Sequence, residues 1–298
     1  MKVLAMQMRR ELWEHRSLWI APLLVALLLL GGVATLGRIQ FYEGPARPAV
    51  ANSPFQLMLL GWGVPFYLAA GVVVVVYLLD CLYGERRDRS ILFWRSMPVS
   101  DTETVLAKLL VGLVVVPYAT FALAALTSAI ASAILALRHH VLVNGQIAPL
   151  WDTLTWLRMQ GVMLYGLTVL LLWYAPYAAY LMLASAWARR SPYAWAFVPP
   201  VLLAMCENMV FGTNYLGRIV ERGFNQVLRL AFNLNQQLAY SIGDAIPLPR
   251  SPAGGGTRPP AGGGVTELLL SPQLWLGLLA AALMLLLVIR LRRYRDDA

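Results

Sequence analysis

Six long apolar runs, at about 18–37, 57–83, 109–137, 159–187, 193–212 and 273–289, constrain this chain more than any other feature. About 20 such residues in a helix cross a hydrocarbon layer ~30 Å thick. Four of the six runs contain no Asp, Glu, Lys or Arg, and Asp80 and Glu207 are the exceptions in the other two. Only 13% of the 298 residues are charged, against about 25% in a soluble domain. These features exclude a soluble protein. They predict an all-α membrane protein, a single domain over 1–298 with six transmembrane helices.

The first run follows Lys2, Arg9, Arg10 and Arg16, as a signal peptide would. Its apolar part, Leu18 to Leu36, is longer than the ~7–15 residues of a cleavable signal, and no A-x-A site follows. It therefore reads as an uncleaved first span. With the N-terminus cytoplasmic, segments 1–17, 84–108, 188–192 and 290–298 lie inside and carry fifteen Lys or Arg. The short outer segments 38–56 and 138–158 carry four. The positive-inside rule then predicts both termini in the cytoplasm of a cell whose inner (plasma) membrane holds the chain. The net charge of +9 reads as topology and contact with anionic lipid. Nucleic-acid binding would need a basic soluble face, and no soluble domain is there to carry one.

The two cysteines, Cys81 and Cys206, and the adjacent His139-His140 have no metal-ligand spacing, so no metal site is expected. Residues 1–17 predict an amphipathic helix on the inner surface, with Met1, Leu4, Ala5, Met8 and Leu12 on one arc and Arg9, Arg10 and Glu14 outside it. Pro65, Pro117, Pro176 and the Pro199-Pro200 pair interrupt four spans. Such breaks hold in lipid only where protein or a water-filled cavity satisfies the freed carbonyls, which argues for a packed bundle. Within the outer segment 213–272, residues 213–240 carry a second amphipathic pattern, with Leu216, Ile219, Val220, Phe224 and Val227 opposite Arg218, Glu221, Arg222 and Arg229. The stretch 251–264, SPAGGGTRPPAGGG, is a Gly/Pro insert without the Gly-Lys-Ser/Thr ending of a phosphate loop. Ser271-Pro272 reads as the cap and first turn of the sixth span.

Between the second and third spans lies a polar segment, 84–103, GERRDRSILFWRSMPVSDTE. Ser100 and Glu103 match a capping box, so a helix should start at about 101 and run into the third span. Upstream, Asp88 to Met97 can form a short helix with Ile91, Leu92 and Trp94 available for burial. Both signs of charge with two aromatics suit a protein docking surface. A positive-inside loop with interfacial aromatics fits the spacing equally well.

This layout resembles the type-2 permease subunits of ATP-binding-cassette exporters. The likeness is concentrated in Glu85 through Lys108: a Glu-Arg-rich segment, a Met-Pro-Val-Ser turn and a helix ending in lysine. The resemblance implies that 84–103 is a cytoplasmic coupling helix docking in a separate ATPase subunit. Glu85, Arg86, Arg87, Asp88, Arg89, Phe93, Trp94 and Arg95 would then form the contact. It implies two ATPase copies that bind ATP and Mg, and a second permease copy as homodimer partner. No cofactor is implied for this chain itself. It also implies that the second and fifth spans border the substrate path, through Trp62, Phe66, Tyr67, Tyr193, Trp195, Phe197 and Glu207, and that 213–240 is an outer helical segment. The insert 251–264 is not part of that pattern. The chain's two lysines, Lys2 and Lys108, follow no Gly-rich turn, so ATP hydrolysis belongs to another chain and this one is not an enzyme. The cargo would be an amphipathic drug, a peptide or a lipid.

Two other classes compete. A secondary transporter needs ionisable midplane residues and related halves, and no repeat is visible. A membrane-embedded enzyme needs paired carboxylates, a Ser/His pair or a metal cluster within the spans. Glu207 lies ~21 Å along the fifth span from Tyr193, which puts it in the outer bilayer half. A carboxylate there should face the bundle. It either pairs with Arg218 or Arg222 as an outer gate, binds a cationic group of the cargo, or sits near the outer headgroups without a special role.

Overall fold

The computed structural model describes residues 2–35, 54–88, 100–138, 142–143, 146–147, 153–213 and 272–295. In chain order the helices are α1 (Lys2–Glu14), α2 (Ser17–Thr35), α3 (Pro54–Asp80), α4 (Tyr83–Arg87) and α5 (Asp101–Leu110). A π-helical turn, Val111–Val115, joins α5 to α6 (Val116–Arg138). Then come α7 (Thr153–Trp187), α8 (Pro192–Phe211) and α9 (Pro272–Arg295). Six of these helical stretches are long and apolar enough to cross a membrane: Ser17–Thr35, Gly61–Arg87, Asp101–Leu137, Trp156–Trp187, Pro192–Val210 and Leu274–Arg293. The chain is thus a helical, multi-pass membrane protein. Between α6 and α7 a two-residue antiparallel pair, Leu142–Val143 with Gln146–Ile147, departs from the purely helical expectation. The chain divides into two compact units, Met1–Leu164 and Tyr165–Ala298.

In the first unit, α2, α3 and α6 pack against one another. Small residues allow it. Ala26 and Ala124 are buried around Phe66, with Val25, Leu29 and Leu123 against them, and Ala131 joins Val33 and Leu135 in a second layer that Leu30, Trp62 and Ile134 flank. Between apolar helices in lipid, close approach at small side chains supplies the packing that a hydrophobic driving force cannot. Gly112, in the π turn, marks the tightest approach. A Cβ there would lie 2.9 Å from Leu78 Cδ2 and 3.4 Å from Tyr77 Cδ1. The π turn itself has a cause in the sequence. Pro117 has no N–H for the Leu113 carbonyl and its ring crowds that oxygen, so the ladder widens just upstream.

The helix from Asp101 begins where the capping box predicts. The Glu103 N–H donates to Ser100 Oγ at 3.2 Å, and the Ser100 N–H donates to Glu103 Oε2 at 3.3 Å. From 101 to 138 the chain stays helical through α5, the π turn and α6. At ~1.5 Å per residue this is on the order of 57 Å, well beyond a ~30 Å hydrocarbon layer, so part of it lies outside that layer. The short helix after the second span forms at Tyr83–Arg87. The helix expected over 88–97 lies outside the described residues apart from Asp88.

The buried face of the N-terminal helix is rotated from the expected arc. Ala5 is exposed, while Leu4, Gln7, Met8, Leu12 and His15 are half-buried around a fully buried Glu11. Glu11 lies at the edge of the apolar arc, beside Leu4, and its ion pair, below, holds it inside. After Glu14 the chain turns through His15 and Arg16. The Leu18 N–H donates to His15 O and the Ile20 N–H to Arg16 O, both at 3.0 Å, which leads directly into α2.

In the second unit, α8 is capped by Ser191, whose Oγ accepts from the Ala194 N–H at 3.4 Å, and has Pro192 in its first turn. It ends at Gly212, in the left-handed conformation (φ 59°) that glycine adopts without a Cβ clash. The helix continues through Pro199 and Pro200. Pro200 cannot donate to the Ala196 carbonyl, and the Tyr180 hydroxyl of α7 does so instead, at 3.0 Å. This is the expected protein-supplied replacement for a freed carbonyl in lipid. Close to it, Gly277 of α9 passes Pro176 of α7, where a Cβ would come within 3.2 Å of the proline ring.

Tyr180→Phe should therefore lower the unfolding temperature of the detergent-solubilised chain, because an unsatisfied buried carbonyl costs about 1–3 kcal/mol. In a Pro200→Ala background the helix ladder itself can satisfy Ala196, and the same substitution should cost clearly less. Equal losses in both backgrounds would show that the hydroxyl does not serve the proline break.

Candidate functional site: a buried ion cluster where four helices meet

Four elements converge on Lys108, near the C-terminal end of α5. Its Nζ donates to Glu11 Oε1 of α1 at 2.7 Å and lies 3.1 Å from Glu85 Oε1 of α4 as an ion pair. The Tyr77 hydroxyl of α3 donates to Glu11 Oε2 at 3.0 Å. His15, one turn beyond Glu11, brings Nε2 to 3.9 Å from Glu11 Oε2 and sets its ring edge-on to Tyr77, 4.9 Å between centroids. The relative exposures are 1% for Lys108, 3% for Glu11 and 9% for Glu85. Lysine and glutamate almost never reach such burial unless paired. Above the cluster, Cys81 is buried and its thiol faces the Leu78 carbonyl at 3.3 Å. One turn back along α1 from Glu11, Gln7 Nε2 reaches Thr104 Oγ1 at 3.5 Å, a second and weaker link between α1 and α5.

The cluster has two carboxylates for one ammonium. A lone buried carboxylate or ammonium costs several kcal/mol in desolvation, and mutual attraction offsets this only with good hydrogen bonding around it. The Tyr77 hydroxyl supplies one such bond. The compact lysine head can lie between two carboxylates at once, where the planar fork of arginine would need more room. Apart from Lys2, the chain uses only arginine for its basic side chains. The choice at 108 matches this geometry.

Of the residues expected at the ATPase contact, Glu85 is turned inward and paired with Lys108. Arg86 is half-buried, and Arg87 and Asp88 are exposed, paired with each other at 3.1 Å. Arg89, Phe93, Trp94 and Arg95 lie outside the described residues, as do Arg218 and Arg222. Among the aromatics expected along a substrate path, Phe66 is wholly enclosed between α2, α3 and α6. Trp62 and Tyr67 are half-buried, Trp62 beside Ala131 and Leu135 and Tyr67 over Gly63. Tyr193, Trp195 and Phe197 on α8 are exposed. Glu207 is half-buried and accepts a hydrogen bond from Thr213 Oγ1 at 3.2 Å, beside the αL turn that ends α8.

A second polar node joins α6 and α7 within the first unit. Ser128 Oγ donates to Ala125 O at 2.8 Å and accepts from Trp156 Nε1 at 3.1 Å, with Gln160 Nε2 at 3.5 Å. Its groups are neutral and their bonds are mutually satisfied, so it reads as a structural fastening between helices. Among the described residues there is no group of three or more His, Cys, Asp or Glu placed to hold a metal.

The central residue of the cluster, Glu11, escapes a reading by apolarity, but a signal for it exists. Glu11 falls on the same arc as Leu4 and Met8, and His15 follows it at one helical turn. An ionisable pair on an apolar face implies a buried partner.

Lys108→Met leaves two carboxylates facing each other away from water. It should cost about 3–5 kcal/mol, read as loss of folded yield or a large fall in unfolding temperature. Adding Glu11→Gln and Glu85→Gln removes the uncompensated charge and should restore much of that loss. A triple variant no more stable than Lys108→Met would show that the pairing is not what holds the four helices.

No protein-family model matches the chain, and no curated protein matches it in sequence.

Proposed function

We propose that this chain is the membrane-spanning permease subunit of an ATP-driven exporter, of the type-2 ATP-binding-cassette kind. Two permease chains work with two copies of a separate ATPase subunit, which bind ATP and Mg. The observation that carries this reading is the ion pair that ties together the two helices flanking residues 89–99. The residues on either side of that segment, Glu85 and Lys108, form an ion pair with each other, and Lys108 also holds Glu11 of the N-terminal helix. Residues Arg89, Phe93, Trp94 and Arg95 of that segment have the mix of charge and large aromatics that marks an interface hot spot. A partner pressing there moves α1, α4 and α5 as one piece, and α5 continues into the third span. The exposed Arg87–Asp88 pair extends the same docking surface.

On this reading both termini and segment 84–103 are cytoplasmic, and the chain lies in the cell's inner membrane. The exposed aromatics of α8, with Trp62 and Tyr67, face the path of an amphipathic drug, peptide or lipid between the two permease copies. Glu207, with Arg218 or Arg222, closes its outer end.

Tagged chain extracted from its native membrane should carry an ATP-hydrolysing subunit. Phe93→Ala with Trp94→Ala should release that subunit while the six-span chain still inserts, since losing an interface aromatic can cost 2 kcal/mol or more. Glu207→Gln should raise the complex's ATP hydrolysis in the absence of cargo. Transport by the purified chain in vesicles, driven by an ion gradient without ATP, would instead make it a secondary transporter.

A further inference from the structure

The N-terminal helix has a second face that the bundle does not use. Around α1, at ~100° per residue, Leu4, Gln7, Met8, Glu11 and His15 turn toward the bundle. On the opposite side Arg9, Trp13 and Met6 fall in that order within ~60° of arc, and Arg16 follows in the turn that leads to α2. Met6 is 70% exposed and Trp13 67%, Val3 beside them 42%, and both arginines are exposed. Of the two acidic residues in α1, Glu11 is spent inside on Lys108 and Glu14 is held by Arg10 at 2.8 Å. The outward face is left apolar and positive.

Its position narrows what can cover it. Only His15 and Arg16 separate α1 from α2, the first span. Immediately beyond, Trp19, Ile20, Leu23, Leu24, Leu27 and Leu28 of α2 are exposed large apolar residues, the surface that meets acyl chains. Trp13 and Arg16 therefore lie at the edge of the hydrocarbon layer. There an indole sits between apolar and wet regions and an arginine reaches the headgroups.

We propose that this face of α1 binds the anionic phospholipid headgroup layer, with Met6 and Trp13 seated at the acyl boundary and Arg9 and Arg16 on the lipid phosphates and other acidic headgroup oxygens. The lipid-facing side is thus the reverse of the Leu4–Met8–Leu12 stripe that apolarity alone selects. The proposal needs only a multi-pass chain and does not rest on the exporter reading. Because the other side of α1 holds Lys108 through Glu11, the same helix links the membrane surface to the helix that leads into the third span.

The test uses the full chain with Cys206→Ser and Met6→Cys, labelled with bimane at position 6; Cys81 is buried and stays unlabelled. The chain is reconstituted in phosphatidylcholine vesicles with brominated phosphatidylglycerol or brominated phosphatidylcholine at equal mole fractions. Near an anionic surface each basic residue is worth about fivefold in partitioning. The bimane should therefore report at least a fivefold preference for phosphatidylglycerol, weakened at high salt because screening shortens the range of the attraction. Arg9→Gln with Arg16→Gln should bring the preference to about unity, with quenching by phosphatidylcholine retained and the unfolding temperature unchanged. Equal quenching by both lipids in the unsubstituted chain would overturn charge recognition and leave a merely interfacial helix. No quenching by either would overturn the proposal altogether and make the face a contact with protein.

Discussion

The ion cluster at Lys108 is the interaction on which the rest of the first unit depends. One ammonium meets carboxylates from two other helices, 2.7 and 3.1 Å away, and a tyrosine hydroxyl from a fourth element completes the set. Each of these groups would be costly to bury alone. Together they fix α1 against the bundle at one point, and α4 and α5 against each other across the thirteen residues of chain between them. A buried ion pair is weak evidence of added stability, since a well-packed apolar set can match it. Its effect is on specificity. It selects one rotation of α1, one position of Glu85 and one depth for α5.

The membrane imposes a second constraint, on the backbone. Prolines lie inside α2, α3, α7 and α8, and each removes a hydrogen bond that lipid cannot replace. The structure answers in two local ways. At Pro200 a hydroxyl from the neighbouring helix takes over the freed carbonyl. At Pro117 the helix widens into a π turn, and glycine at 112 lets the second span come close at the same level. That level is one turn beyond Lys108. The charged anchor, the close glycine contact and the altered helical turn thus succeed one another along the third span, where a displacement of α5 would enter the membrane.

The two faces of α1 divide their labour by chemistry. The inward face is short in apolar area and held by a charged centre. The outward face holds no unpaired carboxylate and presents indole, thioether and guanidinium groups.

Sequence alone determined the number and approximate limits of the spans, because apolar runs of membrane length have few other fates. It also determined the start of the helix at 101, because a capping box is a local device whose partners are three residues apart. Apolarity placed Leu4, Met8 and Leu12 on one side of α1, but not the centre of the covered face, a glutamate whose partner is 97 residues away. For the same reason Glu85 read as a surface charge among Arg86, Arg87 and Asp88, and only the tertiary structure turned it inward. Phe66 read like Trp62 and Tyr67 beside Pro65, yet packing of α2 and α6 over it decided that one of the three is core. Local signals fix where helices begin and how long they run. Which side of each helix is covered depends on long-range partners, and for ionisable residues a single partner can reverse the outcome.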